Sequence, residues 1–550
     1  MRSSLRDEVT AWIALDPDDD DRATLQGLLD ANDEEELERR FLAPLTFGTA
    51  GLRGPEMAGP AGMNRATVRR ATQGVLAWLE EIGVDPRMGV VVGRDARHGS
   101  ERFNDEVVAV LLGAGATVFE MPGALPTPFV PYCVRALGAA AGVMITASHN
   151  PPQDNGYKLY ARDGAQIIPP DDAIVERHAS DAGPALLASR SVPGHFLVAA
   201  ELLEEYRTHF LERFRVEGGS DLRITYTPLH GVGGETMMKL FVDAGYHHVT
   251  PVATQFTPDG SFPTLAFPNP EEPGALDHAI ATANEVGSTL IIANDPDADR
   301  LGAAVKERDG WRVLRGDEIG WLLASSLLEE ISVAHQLVAT TLVSSTMLVK
   351  MARATNVRCA TTLTGFKWIA RAAGDGVLGF GYEEALGYAV DARVADKDGL
   401  SGALALARLA HELSLEDQTL LDRLDELEAH FGVHATAQLA LRANAPSGIV
   451  EIRRVVAQLL LEPPRSLGSL AVTQVVDLND GWADLGPSEG VLMGLGPWGR
   501  VVVRPSGTEA KVKAYVEVTP KVEGSLSDQR ARASELVAGV LESLAELLLF

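Results

Sequence analysis

Thr289-Leu-Ile-Ile-Ala-Asn-Asp-Pro-Asp-Ala-Asp-Arg300 is an apolar run that stops on three aspartates spaced two apart. A short continuous apolar run reads as a strand covered on both faces, the kind found in sheets flanked by helices. In an extended backbone every second side chain faces the same way, so Asp295, Asp297 and Asp299 are expected to point at one spot, with Pro296 stiffening the path. Three carboxylates that close repel one another unless a cation joins them, and hard oxygen ligands suit Mg²⁺. A plain acidic turn is the competing reading, and Asp16-Pro-Asp-Asp-Asp-Asp21 shows what that looks like: the same residue type with no strand leading in. A calcium loop of the EF-hand kind is excluded, since Gly at its sixth position and the closing Glu are missing.

The same grammar runs through the chain. Apolar runs at Met88–Gly93, Ala116–Phe119, Ala141–Thr146, Leu222–Thr227 and Leu337–Val343 alternate with helical stretches, which indicates α/β layers. A length of 550 residues is three or four domains' worth. The Pro/Gly/Ser/Ala-rich segment Gly183–Gly194 and the change of texture after His430 read as boundaries. Beyond the second, Arg500–Arg504 and Val512–Val518 alternate as a half-buried hairpin, followed by a Leu-rich helix toward Phe550. That part reads as a separate α+β domain. Residues 1–42 are acidic, with leucines at loosely helical spacing, and read as helical decoration.

The formal charge of −28 argues against a nonspecific grip on nucleic acid or an anionic membrane, because polyanion binding needs clustered Lys and Arg. It leaves room for phosphorylated metabolites held in a locally positive cleft. The two cysteines, Cys133 and Cys359, lack the spacing of a zinc site or a disulfide framework, so a reducing, cytoplasmic setting is expected. Neither a signal-peptide core nor a run near the roughly 18 apolar residues of a membrane span is present.

Several loops carry chemistry-bearing residues. Thr146-Ala-Ser-His-Asn-Pro-Pro-Gln-Asp-Asn-Gly-Tyr-Lys-Leu-Tyr160 leaves a buried strand and enters a Pro/Gly/Asn loop, the kind of place where rigid scaffolds display reactive groups. Ser148 stands at the strand's end, His149 beside it and Lys158 ten residues on. A serine hydroxyl needs a base, a metal or a pre-loaded phosphoryl group to act, and the surroundings are not the Gly-x-Ser-x-Gly elbow of hydrolases. A turn with local side-chain bonds is the alternative. Arg504-Pro-Ser-Gly-Thr-Glu509 offers a guanidinium, two hydroxyls and a Gly-opened turn, an inventory suited to a phosphate dianion. Phe47-Gly-Thr-Ala-Gly-Leu-Arg-Gly54 presents Arg53 in a glycine-rich loop, and Thr364-Gly-Phe-Lys-Trp, Gly381-Tyr-Glu-Glu-Ala-Leu-Gly-Tyr388 and Asp396-Lys-Asp-Gly-Leu400 are further candidates. Glu383 can accept from vicinal sugar hydroxyls, and Lys397 can act on a phosphate or assist proton transfer. His230-Gly-Val-Gly-Gly-Glu235 follows a strand like a dinucleotide loop but lacks the third glycine at the required spacing, so NAD binding is not expected.

Taken in order and spacing, Thr146 to Lys158, Asp295 to Arg300, Gly381 to Gly387 and Arg504 to Glu509 resemble the four signature loops of the α-D-phosphohexomutase superfamily. The resemblance implies a heart-shaped molecule of three related α/β domains and a C-terminal α+β lid, with expected domains at 1–195, 196–312, 313–435 and 436–550. It implies Ser148 as the phosphoserine and, with Asp295, Asp297 and Asp299, as a ligand of Mg²⁺. The same resemblance implies Arg53, His149, Lys158 and Lys397 as catalytic groups beside Ser148, and Arg300, Thr364, Gly365, Lys367, Glu383, Arg504, Ser506, Gly507 and Thr508 as substrate-binding residues. The implied reaction interconverts hexose 1- and 6-phosphates, glucose and then mannose, through a sugar bisphosphate that also serves as activator. The implied partner is a small phosphosugar, with no nucleic acid, membrane or obligate protein partner. Two features depart from many hexomutases: Ala385 stands where a serine is usual, and the domain-three loop reads Thr-Gly-Phe-Lys rather than a His-bearing version. Both resemble the branch containing eukaryotic phosphopentomutase and glucose-1,6-bisphosphate synthase, which keeps a pentose 1- to 5-phosphate mutase in view. A metal-dependent phosphatase fits less well, because hydrolysis needs no second phosphate loop like that at Arg504. A non-catalytic sugar-phosphate sensor would not need Ser148 and the three aspartates.

Overall fold

Each apolar run named above is a strand: Val90–Arg94, Val118–Ala124, Ala141–Ile145, Ile224–Thr227, Leu290–Ala293 and Gln336–Thr341. In Ala141–Ile145, Ile224–Thr227 and Leu290–Ala293 every residue is buried, which is why these runs lack polar alternation. The computed structural model describes residues 3–47, 51–331, 336–442, 448–505, 511–521 and 523–548. Its contacts divide the chain into two units, Met1–Leu314 with Gly387–His411, and Arg315–Leu386 with Glu412–Phe550. Among the described residues no helix is long and apolar enough to cross a membrane. Cys133 and Cys359 are both free thiols, pushed up to about 12 by burial.

The first unit holds two sheets. One has six strands in the order Leu52–Pro55, Asp154–Tyr160, Ala141–Ile145, Val90–Arg94, Val118–Ala124, His195–Leu197. Its central strands run parallel, while Asp154–Tyr160 turns back antiparallel against Ala141–Ile145. The other has five strands, Gly310–Val313, Gly302–Glu307, Leu290–Ala293, Ile224–Thr227 and Val249–Pro251, with Ile224–Thr227 parallel to Leu290–Ala293. Helix Arg65–Glu81 covers the first sheet and sends Val68, Val75 and Trp78 into a core shared with Phe103, Leu111 and Tyr157. Asn64 starts this helix by accepting from Thr67 N at 2.8 Å, the usual use of a short polar side chain at an N-cap.

The expected N-terminal decoration is three helices, Ser3–Leu15, Asp19–Ala31 and Glu34–Phe41, packed around Leu5, Val9, Leu25, Leu29 and Leu37. The acidic run at 16–21 is helix-start chemistry. Asp18 caps helix Asp19–Ala31 by accepting from Asp20 N and Asp21 N, where negative charge also meets the positive end of the helix dipole.

In the second unit, Arg358–Thr362, Gln336–Thr341 and Val377–Glu383 run parallel, and helix Gly316–Glu330 packs on them with Trp321 fully buried. The C-terminal sheet is antiparallel, in the order Ala435–Arg442, Lys511–Val518, Gly499–Pro505, Val491–Gly494, Gln474–Asp477. The expected hairpin is present, with Val502 opposite Tyr515, and helix Leu526–Leu547 lies on the sheet with Val540 and Leu544 in its core.

A buried ionic knot ties these parts of the second unit together. Glu517 accepts from His434 Nδ1 at 2.8 Å, Ser345 Oγ at 2.9 Å and Thr346 N at 2.7 Å, and lies 3.3 Å from Arg500 Nε. Ser345 and Glu517 both face the same His434 nitrogen, so this Ser/His/Glu set has no relay geometry and acts structurally. Against the burial that would raise it, the bond from His434 and the charge of Arg500 hold Glu517 down to about 2. A depressed carboxylate contributes stability above its unfolded value that is lost as pH falls through the folded one. The fold is therefore expected to weaken between about pH 4.5 and 2, and Glu517→Leu is expected to cost about 3–5 kcal/mol by removing the buried carboxylate that faces Arg500 and His434. Urea midpoints at pH 7 and pH 3 check both: the mutant should lose most of its deficit at the lower pH.

Candidate active site

Strand Ala141–Ile145 delivers Thr146, Ala147 and Ser148 to the end of the first sheet. Ser148 has φ +53°, a left-handed conformation that an ordinary side chain holds only when its surroundings impose it. Here they do. Its N–H donates to Thr146 Oγ1 at 2.9 Å, its carbonyl accepts from Arg97 Nη2 at 2.6 Å, and its Oγ donates to Asp295 Oδ2 at 2.6 Å. His149 Nδ1 is 3.3 Å from the same hydroxyl, and Arg53 Nη1 reaches Ala147 O at 3.4 Å.

The loop is shorter than the sequence reading had it. From Asp154 the chain is again a buried strand, with Lys158 opposite Met144. Lys158 is fully buried in mid-strand, a position that propensity disfavours for lysine. It is tolerated because its ammonium donates to Asp297 Oδ2 at 2.7 Å and Asp299 Oδ2 at 2.6 Å, which supplies the paired partners a buried charge requires.

The three aspartates converge, but by a different route from the extended alternation expected for them. Ala298 N donates to Asp295 O at 2.9 Å and Ala298 sits at φ +56°, so 295–298 is a turn that brings the carboxylates round a small arc. Its carbonyls are fixed from outside: Val232 N donates to Pro296 O and Thr127 N to Asp297 O, each at 2.8 Å. The glycines of the 230–235 loop now have a purpose. A Cβ on Gly231 would lie 2.3 Å from Pro296 Cα, and one on Gly233 3.0 Å from Ala298 Cβ, so the loop is a close-fitting bed for the aspartates.

All three aspartates are fully buried, and one ligand oxygen from each lies within 4.8 Å of the others. Burial and the charges of Asp297 and Asp299 push Asp295 well above the usual carboxylate range. Asp297 and Asp299 are held below it, against their burial, chiefly by the Lys158 ammonium, helped by Thr127 at Asp297 and by Lys397 and Arg300 at Asp299. Among the described residues, Asp297 Oδ1 and Asp299 Oδ1 have no hydrogen-bond partner. Buried anionic oxygens without donors are what a hard cation needs as ligands, so the residues fit a divalent metal.

The remaining first-unit residues gather round this group. Lys397 Nζ is 3.2 Å from Asp299 Oδ2, Arg300 Nε lies 4.0 Å from Asp295 Oδ2, and Arg53 feels the charges of Asp297, Asp299 and Asp295. Lys158, Lys397, Arg300 and Arg53 thus set four cations around three carboxylates, the locally positive spot that an acidic protein needs in order to hold a phosphate.

The other candidates belong to the second unit. Gly365, at φ +113°, opens the short helix Phe366–Ile369 that buries Lys367, and the neighbouring Thr364 Oγ1 is buried with no partner among the described residues. Glu383 ends strand Val377–Glu383 and is buried. Beside it, burial, Glu383 and Asp317 raise Glu384 to about 7, and Ser344 Oγ donates to it at 3.1 Å. Arg504 donates to Ser488 Oγ at 3.2 Å. Ser506, Gly507 and Thr508 lie outside the described residues. Two contributors went unread in the sequence. Thr127, whose Oγ1 donates to Asp297 Oδ2 at 2.6 Å, is marked only by flanking prolines. Arg97 carries no local signal at all.

Four consecutive family models match the chain: Phosphoglucomutase/phosphomannomutase alpha/beta/alpha domain I at residues 44–184, domain II at 204–310, domain III at 315–431, and the C-terminal domain at 423–532. Among similar proteins, a probable phosphomannomutase of Haemophilus influenzae is 38% identical over 84% of this chain and 94% of its own length. A probable phosphoribomutase of Schizosaccharomyces pombe is 35% identical over 94% of both chains, and a phosphopentomutase of Mus musculus 32% identical over 98% of this chain and 94% of its own. The crystal structure of a "putative phosphomannomutase" from Thermus thermophilus shares the fold with a TM-score of 0.70 at 23% identity, covering 92% of this chain and 99% of that one. With all four domains matched in order, and the serine loop and aspartate turn placed against each other, the chain belongs to the phosphoglucomutase/phosphomannomutase family of phosphotransferase isomerases.

Proposed function

We propose that the protein interconverts hexose 1-phosphate and hexose 6-phosphate, glucose first and mannose second, by relaying a phosphoryl group through Ser148. The observation that carries this reading is the 2.6 Å contact between Ser148 Oγ and Asp295 Oδ2 inside a buried triad with two unpartnered anionic oxygens. A serine in that place suits a carrier better than a hydrolytic nucleophile, because its hydroxyl faces a carboxylate that belongs to a cation site.

Asp295, Asp297, Asp299 and the Ser148 oxygen are the residues to hold Mg²⁺, which when bound withdraws charge from the phosphoryl oxygens. The chain's own groups do the rest. Lys158 and Lys397 offset negative charge and exchange a proton with the sugar hydroxyl, Arg53 and Arg300 bind the transferring phosphate, and His149 orients the serine. Glu383 reads the sugar hydroxyls with Thr364, Gly365 and Lys367, while Arg504, Ser506, Gly507 and Thr508 hold the distal phosphate. Phosphoserine donates to the bound monophosphate, the resulting bisphosphate turns over, and its other phosphoryl group returns to Ser148. Atoms balance, because one phosphoryl group enters the sugar and another leaves it in each cycle. The four domains are assigned to 1–195, 196–312, 313–435 and 436–550, and the setting to the cytoplasm.

A pentose reading is favoured by one specific feature. Ala385 offers no hydroxyl to a sugar oxygen, and losing such a bond relaxes selection for hexose. Relatives named phosphoribomutase and phosphopentomutase support it, and one named glucose 1,6-bisphosphate synthase supports a bisphosphate as activator. Parallel assays with glucose, mannose and ribose 1-phosphates, primed with glucose 1,6-bisphosphate, decide the substrate. The highest kcat/KM is expected on glucose 1-phosphate, and a higher value on ribose 1-phosphate would replace hexose by pentose.

A further inference from the structure

The Ser148 loop is held by a side chain that no part of the relay uses. Arg97 has no exposed side-chain surface, and both terminal nitrogens are spent on one short stretch of backbone. Nη2 donates to Ser148 O and Asn150 O at 2.6 Å each, and Nη1 to Pro151 O at 2.7 Å and Asp154 O at 2.9 Å. Four carbonyls within seven residues therefore converge on one guanidinium, whose flat fork no other side chain reproduces. Its counter-charge is Asp95, 3.4 Å from Nε, and that carboxylate is anchored by Ser100 Oγ and Arg97 N.

The exposed face of the fork is closed by another segment. The Phe262 ring lies over the guanidinium at 4.9 Å, and Phe262 is buried at φ +45°. A bulky residue in the left-handed region is strained, and such strain persists where the surroundings over-determine it. Here Phe262 N donates to Asp259 O, His98 Nε2 meets Ser261 Oγ at 2.8 Å, and a Cβ on Gly260 would sit 2.8 Å from His98 N. The 259–262 turn is pressed onto 96–98, leaving Phe262 over Arg97.

We propose that Arg97, with Phe262 laid over it, is a positioning residue that fixes the left-handed pose of Ser148, so that the phosphoryl group goes to the sugar rather than to water. The inference rests on the phosphoserine reading above. The residue whose Oγ donates to Asp295 is the one whose carbonyl Arg97 holds. Released, the loop would still carry phosphate but would present it poorly to a bound sugar. Water needs no such alignment: its oxygen forms the new bond to phosphorus, the P–Oγ bond breaks, Ser148 regains a proton and inorganic phosphate leaves. Displacing a reacting group by about 1 Å is enough to slow a transfer about 10²-fold.

The test uses the full-length enzyme labelled on Ser148 with ³²P-glucose 1,6-bisphosphate, compared with Arg97→Met, Arg97→Lys and Phe262→Leu. In Arg97→Met, kcat is expected to fall about 10²-fold with KM unchanged, and a larger share of the label should leave as inorganic phosphate. Amides 148–154 should lose hydrogen-exchange protection while those of Ala141–Ile145 keep theirs. Arg97→Lys should recover little, since an ammonium has no flat fork, and Phe262→Leu should shift every readout the same way by less. Unchanged loop protection and unchanged kcat in either folded Arg97→Met or Phe262→Leu would overturn the proposal. So would losses of kcat that only track the unfolded fraction. Should the wild-type enzyme take no label, the mutase reading falls, and the exchange readout still decides Arg97's role.

Discussion

Ser148→Ala is expected to lose turnover by on the order of 10⁴-fold or more, because the proposed relay passes through its hydroxyl. It is also expected to lose any phosphate seen by intact-protein mass spectrometry. The change should be catalytic rather than structural. Alanine keeps the backbone N–H that donates to Thr146 Oγ1 and the carbonyl that accepts from Arg97. What disappears is the hydroxyl bond to Asp295, worth about 1–3 kcal/mol for a bond to a carboxylate, so the melting temperature should move only slightly. A variant that kept wild-type turnover would remove Ser148 from the reaction.

Asp297→Asn is expected to have the next largest effect, and it separates metal binding from folding. Asp297 Oδ2 accepts from both Lys158 and Thr127, while Oδ1 has no partner among the described residues. An amide oxygen in the Oδ2 position keeps both protein contacts, and the NH₂ group replaces only the oxygen left for the proposed cation. Polarisation by a metal is worth several kcal/mol, so kcat/KM should fall about 10³-fold at about 1.4 kcal/mol per decade. A readout independent of activity accompanies it. Mg²⁺ should raise the melting temperature of the wild type, since ligands that bind only the folded state stabilise it, and should leave Asp297→Asn unmoved. Equal stabilisation of both proteins by Mg²⁺ would place the ion elsewhere.

Ser148, His149 and the three aspartates stand out as candidates in the sequence because each ends or follows a buried apolar strand, a placement that chain order alone reveals. The strands themselves were legible for the same reason: a parallel sheet covered by helices selects unbroken Val/Ile/Ala runs. The course of the backbone beyond them was not. Lys158 sits in a strand whose Asn-Gly-Tyr-Lys-Leu-Tyr sequence carries loop formers, and only pairing on both sides, by Leu52–Pro55 and Ala141–Ile145, makes it extended. The aspartates converge through a turn at Ala298, which period-two alternation cannot anticipate. Thr127 and Arg97 contact the site across 170 and 51 residues of chain. Nothing local distinguishes a buried guanidinium from a solvated one, and Arg97 beside Asp95 reads equally well as a surface pair. The 230–235 glycines follow a strand as those of a dinucleotide loop do, and Gly231 and Gly233 lie against Pro296 and Ala298.

The relay stands or falls on where the phosphoryl group of Ser148 goes. Enzyme labelled on Ser148 with ³²P, freed of excess bisphosphate and mixed rapidly with unlabelled glucose 1-phosphate, should pass its label to glucose 1,6-bisphosphate and glucose 6-phosphate within a single turnover, with inorganic phosphate appearing far more slowly. Release of the label as inorganic phosphate at one rate with and without sugar would contradict it, and would make the protein a phosphatase.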